Sequence, residues 1–161
     1  MCSSDLLFQP AALLELVVYH QEGRSLNRIK EFHWAHLYQS IFSEVTKNAV
    51  ALFMVELLSH CLKQPEENTA LYQFTEDCLL SLDEGSASIT ANMSLFFALH
   101  LTHFFGVFPR LADVEGETLY FDLVDSVISP SLPTHLQFIE GKKATTCAEI
   151  LRARQPIELE E

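Results

Sequence analysis

A chain of 161 residues with 48% hydrophobic and 20% charged side chains has the apolar content of one ordinary domain, or of two small ones joined tightly. That composition excludes a disordered chain, a collagenous repeat and a Pro- or Gly-rich linker. The balance of 22 acidic against 10 basic residues, net −12, argues at first sight against nucleic acid, whose phosphates need clustered Lys and Arg.

The charge is unevenly placed. The first 64 residues hold five basic and six acidic side chains, and the rest hold five and sixteen. Between Gly23 and Lys30 there are three cations, Arg24, Arg28 and Lys30, and no anion.

Pro10 precedes the first structural signal. Residues 12–20 end in Leu16-Val17-Val18-Tyr19, whose β-branched and aromatic side chains favour a strand. Glu22-Gly23 marks a turn. Residues 25–32 then alternate Leu26, Arg28 and Lys30 against Asn27, Ile29 and Glu31 without a clean apolar face. The pattern predicts a hairpin over 12–32. Two strands alone are not stable in water, and only about ten residues precede them, so the N-terminus is expected to be incomplete.

From Ser43 the period becomes helical. Val45, Ala49, Leu52, Phe53, Glu56, Leu57 and Lys63 fall on one spacing, with Ser43 as the expected N-cap, Glu44 in the first turn and Pro65 as the stop. Most other positions to Leu62 are apolar as well, so burial on most sides is expected. Asn68 or Thr69 caps a second helix through Leu82, with the stripe Leu71, Phe74, Cys78, Leu79, Leu82 and the terminator Gly85. A third helix, about 90–105, carries Met93, Phe96, Phe97, His100, Leu101 and Phe104 on one face and Leu95, Ala98 and Leu99 on the other. It reads as the core helix, closed by Gly106 and Pro109. Residues 119–127 read as a short strand or irregular chain, 129–133 as a loop, and 145–154 as a helix. The acidic residues 155–161 are expected to fray.

The four cysteines, Cys2, Cys61, Cys78 and Cys147, form no CxxC pair, and a reduced cytosolic protein is expected. No apolar run approaches the roughly eighteen residues of a membrane helix, and no signal peptide is expected. His33 with His36, and His100 with His103, sit three apart but lack neighbouring carboxylate ligands and an HEXXH motif, so structural roles are favoured over metal. There is no GxSxG and no Gly-rich phosphate loop, and catalysis has no positive support. Arg24, Arg28 and Lys30 are the candidate phosphate contacts. The alternative for them is a solvated hairpin edge kept from aggregating by its charges. Phe104, Phe105 and Phe108 read more readily as core than as a ligand platform.

Several segments together resemble RecO, the bacterial recombination mediator and DNA repair protein, in its zinc-less form from Bacteroidetes-like bacteria. They are Leu7-Phe8-Gln9-Pro10 with the strand ending at Tyr19, and Ser25-Leu26-Asn27-Arg28-Ile29-Lys30-Glu31. Tyr38-Gln39-Ser40-Ile41, Lys47-Asn48-Ala49-Val50-Ala51-Leu52-Phe53 and Leu80-Ser81-Leu82-Asp83-Glu84 follow. Phe104-Phe105-Gly106-Val107-Phe108-Pro109 and Tyr120-Phe121-Asp122-Leu123 complete the ordered set.

The resemblance implies a mainly α fold: a helical domain over 39–161 preceded, over 1–38, by the C-terminal hairpin of an incomplete OB-fold barrel. It implies a non-enzymatic, cytoplasmic and nucleoid-associated mediator that binds single- and double-stranded DNA and anneals strands. Such a mediator binds the acidic tail of single-stranded DNA-binding protein and joins RecR to load recombinase in the RecF pathway, with no membrane partner.

Met1-Cys2-Ser3-Ser4-Asp5-Leu6 does not fit the family and resembles a translated sequencing-adapter end. The chain is expected to be a fragment that lacks the early barrel strands and the closing helices. Zinc-bearing relatives place four cysteines after the Gly106–Pro109 turn, where this chain has only Cys147; no zinc or other cofactor is expected. Basic residues commonly occupy the family positions matching His100 and His103, so positive potential there is reduced. Two other readings stay open: a helical protein-interaction module without DNA contact, its groove lined by Leu and Phe of the second and third helices, and a metal-dependent hydrolase using the histidine pairs.

Overall fold

The computed structural model describes residues 8–19, 27–63, 67–112 and 118–160. Strands β1 (Leu14–Tyr19) and β2 (Arg28–Trp34) form the expected antiparallel pair. The Glu22-Gly23 turn between them lies outside the described residues. The register passes from Val17 opposite Glu31 to Val18 opposite Ile29, which leaves Lys30 as the extra residue of a β-bulge.

Residues facing each other across such a ladder share a face. The bulge therefore sets Leu14, Leu16 and Val18 with Trp34, Phe32 and Ile29 on one side, and Glu15, Val17 and Tyr19 with His33, Glu31 and Arg28 on the other. A strict period of two along β2 would have put Ile29 with Glu31, which is why the sequence shows no apolar face. Much of that face is open: Leu16, Val18 and Ile29 are all more than 40% exposed.

Helix α1 (Val45–Cys61) departs from the sequence reading at both ends and in its orientation. Glu44, not Ser43, occupies the cap, and the Ser43 hydroxyl instead donates to the Ser40 carbonyl at 3.1 Å. The helix ends at Cys61, before Pro65, which lies outside the described residues. Its buried side is Lys47, Ala51 and Met54, whereas Val45 is 85% exposed and Leu52 and Phe53 are also open. Apolar residues surround this helix on every side, so periodicity has no face to select and packing makes the choice.

Helix α2 (Thr69–Glu84) follows the reading closely. The Asn68 side-chain oxygen accepts from the Leu71 N–H at 2.9 Å, and Leu71, Cys78, Leu79 and Leu82 are buried. Gly85 ends it for want of space: a Cβ there would lie 2.5 Å from the Ser81 carbonyl oxygen and 2.8 Å from Ile89. Helix α3 (Ala87–Phe104), capped by Ser86, is the core. Ile89, Met93, Phe96 and Phe97 are sealed from solvent, and Phe97 stacks on Phe74 at 5.3 Å and 9°.

The region after Pro109 holds more order than its sequence shows. Strands β3 (Arg110–Leu111), β4 (Tyr120–Asp122), β5 (Val127–Ser129) and β6 (Phe138–Glu140) make a sheet in the order β3-β5-β4-β6, with β3 parallel to β5 and the other pairs antiparallel. Strands of two or three residues are too short to display a period. Their buried Phe121 and Ile128 join one core cluster with Ala144, Cys147, Ala148 and Leu151 of helix α4 (Lys142–Arg152). The tail does not fray as expected. Residues Pro156–Glu160 form a 3₁₀ turn with Pro156 and Leu159 buried, and the Ser88 hydroxyl donates to the Leu159 carbonyl at 2.8 Å. The apolar pair outweighs the surrounding glutamates.

Candidate functional site

Of the three candidate phosphate contacts, Arg24 lies outside the described residues. Arg28 and Lys30 are exposed on β2. Adjacent residues of a regular strand point to opposite faces, but at the bulge the Lys30 ammonium reaches Glu31 Oε1 at 3.1 Å. The face that carries Arg28 also holds Glu15 and Glu31, and His33 Nε2 lies 2.8 Å from Glu15 Oε2. The run that is purely basic along the chain is thus interleaved with carboxylates across the ladder. Such exposed pairs are weak, worth about 0–1 kcal/mol, and a phosphate can displace them.

A second cationic surface joins features that the sequence reading named only separately, the Phe-lined groove of the second and third helices and the His100 and His103 positions, to arginines it did not single out. Phe74 of α2, His100, His103 and Phe104 of α3, Phe108 beyond it, and 151–154 at the end of α4 line an open groove. His100 lies on Phe96 at a centroid distance of 4.2 Å, and Phe74 meets Phe104 at 5.4 Å. His103 stands edge-on to Phe104 at 5.8 Å and to Phe108 at 5.6 Å. Arg152 and Arg154 are exposed along the rim.

Burial pushes the His100 imidazole below its ordinary value, with His103 adding to the effect and its bond to the Ile150 carbonyl opposing it. That carbonyl only accepts, so Nε2, at 3.2 Å, carries the proton of the neutral ring. His100 is a packed neutral group, and the positive charge of the groove comes from Arg152, the last residue of α4, and Arg154 just beyond it. Guanidinium forks bind carboxylate or phosphate, and the open ring edges offer a seat for a base or an aromatic side chain. Ile150 of α4 lies fifty residues from His100 of α3 in sequence, and only tertiary packing joins them. The one local signal was Arg152 and Arg154 closing a predicted helix.

Phe104 is half-buried while Phe105 and Phe108 are 45% and 36% exposed, so the aromatic group is part core and part surface. No three His, Cys, Asp or Glu side chains gather as a metal site among the described residues. His135 Nε2 pairs with Asp122 Oδ2 at 3.1 Å, while Asp122 Oδ1 accepts the N–H groups of Val124 and Asp125 at 2.8 and 2.9 Å, closing the β4–β5 turn. No described helix is long and apolar enough to cross a membrane.

Comparison with known proteins gives a consistent picture. Residues 43–114 match the family described as Recombination protein O C terminal. The chain is 32% identical over 149 residues to DNA repair protein RecO of Bacteroides fragilis, covering 92% of this chain and 61% of that protein. It is 32% identical over 145 residues to RecO of Porphyromonas gingivalis, covering 89% and 58%. Against RecO of Flavobacterium psychrophilum the identity is 31% over 123 residues, covering 76% and 50%. The chain thus spans about three fifths of the Bacteroides relative it matches. No solved structure matches it.

Proposed function

Taking the resemblance to RecO as the premise, we propose that this chain serves DNA repair and homologous recombination as a mediator that performs no bond chemistry. In this reading it holds single- and double-stranded DNA, promotes annealing, and works with RecR to help load recombinase. Residues 39–161 supply the helical domain. The hairpin before them corresponds to the last strands of an OB-type barrel, whose other strands would cover the open Leu16, Val18 and Ile29 face.

The observation that best supports a binding role is the groove in which Arg152 and Arg154 edge the rings of His103, Phe104 and Phe108. Cations beside aromatic edges suit two anionic polymers, a DNA strand and the acidic tail of single-stranded DNA-binding protein. Arg28 and Lys30, with Arg24, add a second phosphate contact on the hairpin.

The test is fluorescence anisotropy with a labelled single strand and a labelled acidic peptide, each at low and high salt. Arg152→Ala with Arg154→Ala is expected to weaken one or both. Charge reversal of Arg24, Arg28 and Lys30 is expected to weaken DNA alone and to flatten its salt dependence. Absence of DNA binding at low salt, with peptide binding retained, selects the interaction-module reading.

A further inference from the structure

Among the described residues the buried charged side chains are Lys47 and Asp83, at 7% and 3% exposure. Asp83 stands in the last turn of α2, where a negative charge opposes the helix dipole, so its position needs another cause. That cause is segment 39–41, which joins the hairpin to α1. Asp83 Oδ2 accepts the Gln39 N–H at 2.8 Å, and Oδ1 accepts those of Ser40 and Ile41 at 2.8 and 2.9 Å.

Three successive backbone donors thus enclose one carboxylate, the arrangement of an anion-binding nest, here filled by the chain's own side chain. Lys47, from the first turns of α1, donates to the Asp83 carbonyl at 2.8 Å and to the Ser40 hydroxyl at 2.9 Å, and that hydroxyl in turn donates to the Asp83 carbonyl. The cation therefore sits on the C-terminal carbonyl of α2, which its dipole favours.

We infer that Asp83, Ser40 and Lys47 form a lock that sets the angle of the N-terminal hairpin on the helical body. Among the described residues strands β1 and β2 themselves make no polar bond to the helical body. Much of the hairpin's apolar face is open, and the Tyr38 hydroxyl bond to the Ala11 carbonyl at 2.9 Å lies within the hairpin and its linker. Its other ties among the described residues are apolar: Leu13 in the core, Ala11 and Tyr38 packed against it, and Trp34 against Phe42 at 6.0 Å. Apolar contacts of this kind seat the strand pair without fixing its angle, and the nest supplies the directional bonds that do. Each partner is needed for a distinct reason: the carboxylate for charge opposite the three donors, the ammonium for the carbonyl beneath it. With the lock closed, the hairpin cations and the α3–α4 groove are held at one fixed separation.

The test uses the whole chain and two reporters. Trp34, the one tryptophan in the sequence, sits at the joint and reports its opening by fluorescence, while far-UV circular dichroism reports the helices. In Asp83→Asn an amide replaces one acceptor oxygen. Amide hydrogen exchange at 39–41 is expected to rise by about tenfold or more, and Trp34 emission to shift to the red, with the helical signal retained. Lys47→Met is expected to give the same pattern more weakly. Unchanged exchange at 39–41 and unchanged Trp34 emission in a folded Asp83→Asn chain would overturn the lock. If that chain unfolds globally, Ser40→Ala is read in the same way: faster exchange at 39–41 with helices intact supports the lock. Loss of the helical signal in step with Trp34, or no change at all, refutes it.

Discussion

The hairpin and the α3–α4 groove each carry two described cations, and they use them in opposite ways. Arg28 and Lys30 stand in a sequence run without an anion, yet the ladder brings Glu15 and Glu31 alongside and the bulge closes Lys30 onto Glu31. Arg152 and Arg154 stand in a strongly acidic half of the chain, yet the groove they edge is otherwise lined by rings and apolar carbon, the nearby Glu158 carboxylate accepting the Arg154 backbone N–H at 3.1 Å. Charge density along a chain is therefore a poor guide to charge density on a surface. The two regions differ in the same sense in packing. The hairpin exposes its apolar face, and the helical body seals Phe96, Phe97, Ile89 and Met93 completely.

The sharpest way to break this contrast is packing. Phe97→Ala, in the sealed core, is expected to cost about 3–5 kcal/mol. Leu16→Ala on the open hairpin face is expected to cost about 1 kcal/mol or less. Urea denaturation of the two variants measures both, and equal losses would mean that the hairpin face is covered in solution.

Next in size is Gly85→Ala, whose Cβ would meet the Ser81 carbonyl. About 1–3 kcal/mol of destabilisation is expected from overpacking; the same melts decide it, and a neutral result would show that the α2–α3 corner yields.

The binding contrast comes third. Removing both groove arginines is expected to lower affinity for an anionic ligand by about tenfold, with the DNA salt slope reduced by about two. Removing Lys30 alone is expected to do less, because Glu31 already engages it. Titrations across salt would reverse the ranking if the hairpin is the principal contact.

The smallest effects concern pH. His100 lies below its unfolded value when folded, so the unfolded chain binds the proton more readily and stability falls as pH drops below about 6.5. His100→Gln is expected to flatten that part of the profile. Asp83 behaves in the other sense. Burial by itself would raise its carboxyl, but the three backbone N–H groups and the Ser40 hydroxyl outweigh burial and hold it below the ordinary carboxylate range. Its contribution is complete above about pH 4 and is lost only as pH falls further, through the folded value. A stability–pH curve of Asp83→Asn that remains parallel to the wild type below pH 4 would contradict this.

Much of the helical body was legible in the sequence because its signals are local. Asn68 followed by Leu71, the stripe from Leu71 to Leu82, and the apolar density of residues 90–105 each act within a turn or two of chain, and the helices formed there, α2 running two residues further and α3 starting three residues earlier than expected. The hairpin was legible for the same reason, through its β-branched run. Its bulge was not, since a one-residue slip depends on which face the partner strand offers. The buried side of α1 was also hidden: a helix apolar on all sides contains no preference, and Lys47 turns inward because Ser40 and the Asp83 carbonyl await it.

The groove lies furthest from the sequence reading. Phe74, His103 and Arg154 come from three separate segments, and no spacing rule connects residues whose proximity depends on how α4 and the 3₁₀ turn close over α3. The net charge of −12 could be read from the chain alone. Where a positive face survives within it was decided by tertiary structure, because opposite charges cancel by distance in space and not by order in sequence.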